Sequence, residues 1–304
     1  MFKDKTILIT GNGSFAHAMI ERLLTTDIKE IRIFSRNEKA QWETEKKYPD
    51  KRIKLIIGDI REYNAIHEAT KGVDYVLHSA ALKHVPTCEK QPLEAIATNV
   101  IGSQNVMLAC INNKVKKLVC LSTDKSANAS TCYGATKYLM ERLALGIDNK
   151  ETEIMCTRYG NVLGSSGSVV PLFKKLRDEN KPLTITDPNM TRFFMPIEEA
   201  VDLVLYALEK GEHGDLIVHR DKTATVQMIA DCISDNQIVT GTRKAEKTDE
   251  ALLTERELNH SIINDDYFIV REDITSDIEY LQPLTSDNGK RYDITELKEL
   301  IDKC

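Results

Sequence analysis

Residues 5–16 read KTILITGNGSFA: an apolar, β-branched run, Lys5–Thr10, that ends in two glycines one residue apart, Gly11 and Gly13, with the small Ala16 three residues further on. A short continuous run of Ile and Leu suits a strand buried on both faces. The G-x-G-x-x-A pattern at its end fits a strand-to-helix turn. The first glycine permits the bend, the second admits a ligand close to the backbone, and the third small residue lets helix and strand pack. The helix that follows carries an apolar stripe at Met19, Ile20, Leu23 and Leu24. Its first turn offers unpaired N–H groups and a positive dipole end to a phosphate. A plain β-to-α turn has the same glycines, so the pattern gains its meaning from what surrounds it.

Working outward, strand-like runs recur at Glu30–Phe34, Ile53–Ile57, Asp74–His78, Lys117–Leu121 and Glu153–Arg158, and again at Asp215–His219 after a helix over Glu198–Lys210. Strands alternating with helices predict an α/β fold, a doubly wound parallel sheet of Rossmann type with helices on both faces. Ligands then bind at the carboxyl ends of the strands. Beyond residue 220 the rhythm fades into polar, turn-rich segments and a final helix-like stretch, Ile294–Lys303. This predicts a dinucleotide-binding domain over 1–164 plus 196–220, and a smaller substrate-binding lobe over 165–195 plus 221–304.

Composition narrows the partners. The 304 residues carry 41 Lys and Arg against 47 Asp and Glu, a formal net charge of −6, with no basic run. That disfavours nucleic acid as a partner while leaving room for a local basic pocket. No stretch is long and apolar enough for a membrane helix. Met1–Lys5 runs straight into the first strand, which reads as the absence of a signal peptide. Seven cysteines, an odd number without a C-x-x-C pair, fit reduced thiols in the cytoplasm, and no metal site is expected.

At the end of the second strand, where a carboxylate commonly receives the ribose 2′-OH of NAD, the chain has Ser35-Arg36-Asn37. A hydroxyl and a guanidinium suit a 2′-phosphate and favour NADP, the alternative being a solvated surface arginine. After the fifth strand come Ser122-Thr123-Asp124-Lys125 and then Tyr133-Gly134-Ala135-Thr136-Lys137. Tyr133 and Lys137 share a helix face, and an ammonium beside a phenol lets the phenol act as a base.

The Y-x-x-x-K pair and the glycine turn resemble the extended short-chain dehydrogenase/reductase superfamily. More narrowly, the chain resembles the configuration-inverting (5-epimerising) UDP-N-acetylglucosamine 4,6-dehydratases. The residues that carry this are Ile33–Arg36, Ala80–Pro86, Ser122–Lys125, Tyr133–Lys137, Arg158–Val162, Gly167–Pro171, Met190–Phe193 and Arg243–Lys247, in order along nearly the whole chain. The resemblance implies that Tyr133 deprotonates the sugar 4-OH while NADP+ takes the C4 hydride, with Lys137 and Thr123 in support. Lys125 then removes the C5 proton, Asp124 protonates the leaving 6-OH, and the hydride returns to C6. It implies a cofactor set of Thr10, Gly11, Asn12, Gly13, Ser14, Phe15, Ser35, Arg36, Asp59, Ile60, Ala80, Ala81, Lys83, Asn99, Tyr133, Lys137, Tyr159 and Asn161. For a UDP-GlcNAc-type substrate it implies Lys83, Asn161, Ser168, Val169, Arg192, Arg243 and Glu246, with the two arginines on the diphosphate. His78 and His84 have no catalytic place in this scheme and read as packing or pocket lining. A homo-oligomer, dimer or hexamer, and a role in surface glycan synthesis are implied as well.

Three positions depart from the family pattern. The glycine turn is one residue short and ends in Ala16, Ser166 stands where inverting members carry Arg, and Ala245 replaces a glycine. The alternatives are a retaining 4,6-dehydratase, a UDP-sugar 4-epimerase, which has no need of Asp124-Lys125, and a non-catalytic NADP-binding regulatory protein.

Overall fold

In the computed structural model, which describes residues 1–242, 246–264, 266–276 and 282–304, the run at Thr6–Thr10 is strand β1, buried along its whole length. The other strands are β2 (Glu30–Ser35), β3 (Ile53–Ile57), β4 (Tyr75–His78), β5 (Lys117–Leu121), β6 (Glu153–Arg158), β7 (Asn161–Val162), β8 (Leu183–Ile185), β9 (Thr191–Met195), β10 (Leu216–His219), β11 (Lys222–Thr225), β12 (Gln237–Val239), β13 (Ala251–Leu253), β14 (Ser261–Asn264), β15 (Tyr267–Val270) and β16 (Leu284–Thr285). The helices are α1 (Ser14–Leu24), α2 (Glu38–Lys47), α3 (Tyr63–Thr70), α4 (Val85–Lys90), α5 (Pro92–Ile96), α6 (Ser103–Asn112), α7 (Cys132–Gly146), α8 (Val169–Asp178), α9 (Ile197–Lys210), α10 (Val226–Asp231), α11 (Glu255–Leu258) and α12 (Ile294–Lys303).

The large sheet runs β14-β15-β10-β6-β5-β4-β1-β2-β3. Its seven strands from β10 to β3 are parallel. Alternation along β1 splits the core: Ile7 and Ile9 face α1 and α9 through Met19, Ile20, Leu23, Val201 and Val204. Leu8 faces α3, α6 and α7 through Ile66, Val106, Met107 and Met140. The stripe that marks α1 in the sequence is thus its buried face, apart from the partly buried Leu24.

The last two strands of this sheet, β15 and β14, are antiparallel and come from residues 261–270, which the sequence reading groups with the smaller lobe. Pairing along an edge needs backbone hydrogen bonds rather than a βαβ crossover, so the strand–helix rhythm gives no warning of it.

A third core, built by Val170, Phe173, Leu183, Ile185, Phe194, Ile229, Leu297 and Ile301, belongs to α8, β8, β9, α10 and α12. The expected final helix is α12, capped by Asp293 on the Thr295 N–H. Among the described residues no helix is long and apolar enough to cross a membrane.

Candidate active site

A cavity of about 710 Å3 opens at the carboxyl ends of β1, β2, β4, β5 and β6, where strand order departs from β1 in both directions. That crevice is where an open doubly wound sheet offers room to a ligand. One end is formed by the glycine turn. Gly11 has φ +88°, and a Cβ there would meet Ser79 Oγ at 3.1 Å and the Ala80 backbone at 3.2 Å. Gly13 has open space where a Cβ would stand and leads into α1 with no side-chain cap. The turn, short by one residue, is braced by Asn12, whose amide exchanges hydrogen bonds of 2.9 and 3.1 Å with Thr44 Oγ1. A bare helix N-terminus with space above its second glycine fits the pyrophosphate of a dinucleotide.

Ser35, Arg36, Asp59 and Ile60 line the same end. Arg36, half exposed, lies 3.4 Å from Asp59 Oδ2. Burial raises the Asp59 carboxyl, but hydrogen bonds from Arg61 outweigh it and hold the group below its usual range. Ala80, Ala81 and Lys83 form the wall beyond β4. Burial holds the Lys83 ammonium below the usual lysine range.

The chemical groups gather at the other end. Thr123, Lys125, Tyr133, Lys137, Tyr159, Asn161 and Ser168 all line the cavity. α7 starts at Cys132 because Thr131 caps it, accepting from the Gly134 N–H, and this start aims Tyr133 inward. Gly134 is required there, since a Cβ would come within 2.2 Å of Lys125 O. Burial pushes the Tyr133 phenol well above its ordinary value, while a hydrogen bond with Thr123 pulls it back. Lys137 Nζ donates to Leu121 O at 2.5 Å and lies 3.0 Å from Met140 Sδ. Its ammonium is thus directed at the tip of β5, and burial lowers its proton affinity.

Asp124 is completely buried. Its Oδ1 accepts from Thr123 Oγ1 and Lys125 Nζ, both at 2.9 Å. Lys125 Nζ also donates to Asn161 Oδ1 at 3.3 Å, and Asn161 is in turn oriented by its amide donating to Phe193 O. An amine and a phenol therefore share one end of the cavity, with Asp124 buried behind the amine and outside the lining.

Several residues singled out in the sequence stand behind the lining. Thr10 is buried, its hydroxyl 2.7 Å from His78 Nδ1. His78 packs between Thr10 and Ser103, and burial pushes it down to about 3. Asn99 joins the loop after β4 to α7 by bonding Leu82 N, Leu82 O and Thr136 Oγ1. Val169 opens α8, capped by position at Ser168, whose buried Oγ has no hydrogen-bond partner among the described residues. Gly167 (φ +76°) lets this segment pass against His84, which lines the cavity with it.

Arg192, expected on a diphosphate, donates to the carbonyls of Thr191, Lys247 and Thr248 at 2.7, 2.9 and 2.8 Å, with Glu246 3.9 Å away. Neither Arg192 nor Glu246 is part of the lining. Arg243, together with Ala245, lies outside the described residues.

The sequence reading missed two groups. Glu250 approaches Lys125 from the smaller lobe. Asp221, fully buried, accepts from the Gly160 N–H and pairs with His219 Nδ1, fixing the loop that carries Tyr159 and Asn161. Neither belongs to a local motif; only the strand–turn position of Asp221 after β10 gave any signal.

With this geometry in view, the relatives fall into place. The family model for polysaccharide biosynthesis proteins matches residues 7–272. A curated protein of Rickettsia massiliae (strain Mtu5) named UDP-glucose 4-epimerase is 44% identical over 329 residues, spanning 99% of this chain and 96% of that protein. The X-ray structure of Pen from Bacillus thuringiensis superposes with TM-score 0.95 at 33% identity, covering 100% of this chain and 98% of that one. DesIV, the dTDP-glucose 4,6-dehydratase of Streptomyces venezuelae with NAD and TYD bound, shares the fold at TM-score 0.71 and 19% identity, covering 80% of this chain and 86% of its own. The chain belongs to the polysaccharide biosynthesis protein family.

Proposed function

We propose that this chain is an NADP-dependent UDP-GlcNAc 4,6-dehydratase that inverts C5. The observation that carries the reading is Lys125, which lines the cavity with Tyr133 and Thr123 and is paired with the buried Asp124 directly behind it. Eliminating water across C5–C6 of a 4-ketosugar needs a base for the C5 proton and an acid for the departing hydroxyl. Exchange of configuration at C4 needs neither.

In this reading Tyr133 takes the 4-OH proton and Thr123 hydrogen-bonds the same oxygen. A bound nicotinamide dinucleotide supplies a hydride acceptor for C4 and a hydride donor for C6. With C4 a ketone, Lys125 as free amine removes the acidified C5 proton, Asp124 as acid protonates the 6-OH, and water leaves. Delivery of a proton to the opposite face of C5 gives the inverted product. The cradle at Gly11–Phe15 would hold the pyrophosphate, Ser35 and Arg36 a 2′-phosphate, and Lys137 the nicotinamide ribose. The bare start of α8, with Ser168 Oγ unpartnered among the described residues, suits a sugar-nucleotide phosphate.

Exposed apolar side chains at Leu93, Ile96, Ile101, Leu108, Tyr138 and Leu139 support a homo-oligomer formed through the α5–α7 face. All seven cysteines are free thiols, in keeping with a cytoplasmic protein.

A second reading, a UDP-sugar 4-epimerase, is favoured by the name of the Rickettsia relative. Mass spectrometry of UDP-GlcNAc incubated with the NADP-loaded protein separates the two. Loss of one water from the sugar nucleotide supports the dehydratase. Unchanged mass with conversion to UDP-GalNAc establishes the epimerase instead.

A further inference from the structure

Among the described residues three side-chain oxygens face Lys125, and one of them comes from the segment just before β13. Besides Asp124 Oδ1 and Asn161 Oδ1, Glu250 Oε1 lies 3.9 Å from Lys125 Nζ. The backbone that brings Glu250 there is pinned. Its N–H donates to Ser286 Oγ at 2.9 Å, and its carbonyl accepts from the Ser286 N–H at 2.8 Å. Upstream, Arg192 holds the carbonyls of Lys247 and Thr248. Downstream, β13 packs on the turn Asp124–Ser126. Arg192 and Ser286 thus both hold the segment that carries Glu250.

The Glu250 side chain is only 7% exposed. Its Oε2 and Asp124 Oδ2 are both buried with no hydrogen-bond partner among the described residues. The other charges facing Glu250 are Lys247, 3.6 Å from Oε2, and Arg192, itself shared with Glu246. Burial raises the Glu250 carboxyl, Asp124 adds to this, and Lys125, Arg192 and Lys247 oppose it. Two buried carboxyls thus flank one amine, so a change of charge on Glu250 is felt directly at Lys125.

We propose that Glu250 is a positioning residue that completes a triad of facing charged groups with Asp124 and Lys125 and sets the pH at which the Lys125 amine becomes available as a base. This rests on reading Lys125 as the C5 base. While ionised, Glu250 helps hold Lys125 as an ammonium directed at the cavity. Removing that charge leaves Asp124 alone to hold it.

The test uses Glu250→Gln and Glu250→Asp in the full chain. Trace acetylation with acetic anhydride, read by mass spectrometry, compares Lys125 with the exposed Lys39 as internal reference. Lys125 in E250Q is expected to react about tenfold faster than in the wild type, the low end for losing an opposite charge at this distance, and E250D is expected to stay near the wild type. Equal Lys125 reactivity in E250Q and wild type overturns the triad. In the elimination assay, the acid limb of kcat is expected about one pH unit lower in E250Q and unmoved in E250D. A uniform fall in rate at every pH, with the limb in place, reduces Glu250 to a structural role and overturns the proposal. A wild type that eliminates no water refutes the dehydratase reading, while the acetylation result still decides the triad.

Discussion

Arg158 is the largest fully buried side chain among the described residues, and replacing it with methionine is the most informative perturbation of the scaffold. Its guanidinium makes five hydrogen bonds. Glu141 accepts at 3.0 and 2.7 Å, Glu257 at 3.0 and 2.8 Å, and Leu252 O at 2.8 Å. Glu141 lies on α7, which carries Tyr133, while Leu252 and Glu257 follow Glu250, so this one side chain ties the Tyr133 helix to the segment that carries Glu250. In Arg158→Met, Glu141 keeps only the 2.7 Å bond from Ser126 Oγ and faces Glu257 without a cation. Glu257 keeps its donors at Thr254. Leaving a buried carboxylate without its partner costs about 3–5 kcal/mol. Replacing both members of a buried pair by apolar groups is often close to neutral, so R158M/E141M is expected to recover at least about 2 kcal/mol relative to R158M. Urea denaturation of wild type, both single variants and the double variant measures this as a cycle. An R158M loss under about 1 kcal/mol, or a double variant as unstable as the sum of the singles, refutes the reasoning.

Gly11→Ala places a Cβ at φ +88° against Ser79 and Ala80. It is expected to cost about 1–2 kcal/mol in a denaturation midpoint and to weaken dinucleotide binding in a fluorescence titration. Arg36→Ala is expected to weaken NADP+ binding about tenfold or more in calorimetry while leaving NAD+ binding unchanged, because a charge-assisted bond to a 2′-phosphate is lost. His78, held at about 3 in the fold against 6.5 in the unfolded chain, binds its proton only on unfolding across that window. Its stabilising effect is complete above pH 6.5 and is lost as pH falls towards 3, amounting to about 2 kcal/mol by about pH 5. His78→Gln should flatten the acid side of the stability–pH curve by up to one proton, and an unchanged slope counts against the assignment.

The sequence shows the parallel half of the fold plainly, because strands buried on both faces must be continuously apolar, as in β1, β4 and β5. The glycine turn is legible for a similar reason: Gly11 alone tolerates its φ and its close neighbours. Tyr133, Lys137, Asp124 and Lys125 are legible through spacing along one strand–turn–helix unit. Partnerships between distant segments are hidden. For Arg192 the sequence shows a charge but not that carbonyls of a polar loop accept from it. Glu250 lies in a charged stretch that looks solvated, and the pinning of its segment by Ser286 and Arg192 turns it inward. The hairpin β14–β15 joins the sheet edge through backbone bonds that no side-chain pattern encodes.

The central claim is that Asp124 and Lys125 eliminate water after oxidation at C4. Incubating the NADP-loaded protein with UDP-GlcNAc in D2O and following the sugar by NMR tests it directly. The account requires a 6-deoxy-4-ketosugar carrying deuterium at C5, with H5 lost as turnover proceeds and the ring couplings of a minor undeuterated fraction showing the inverted configuration. A product that keeps its 6-OH and its C5 proton, with configuration changed only at C4, contradicts it.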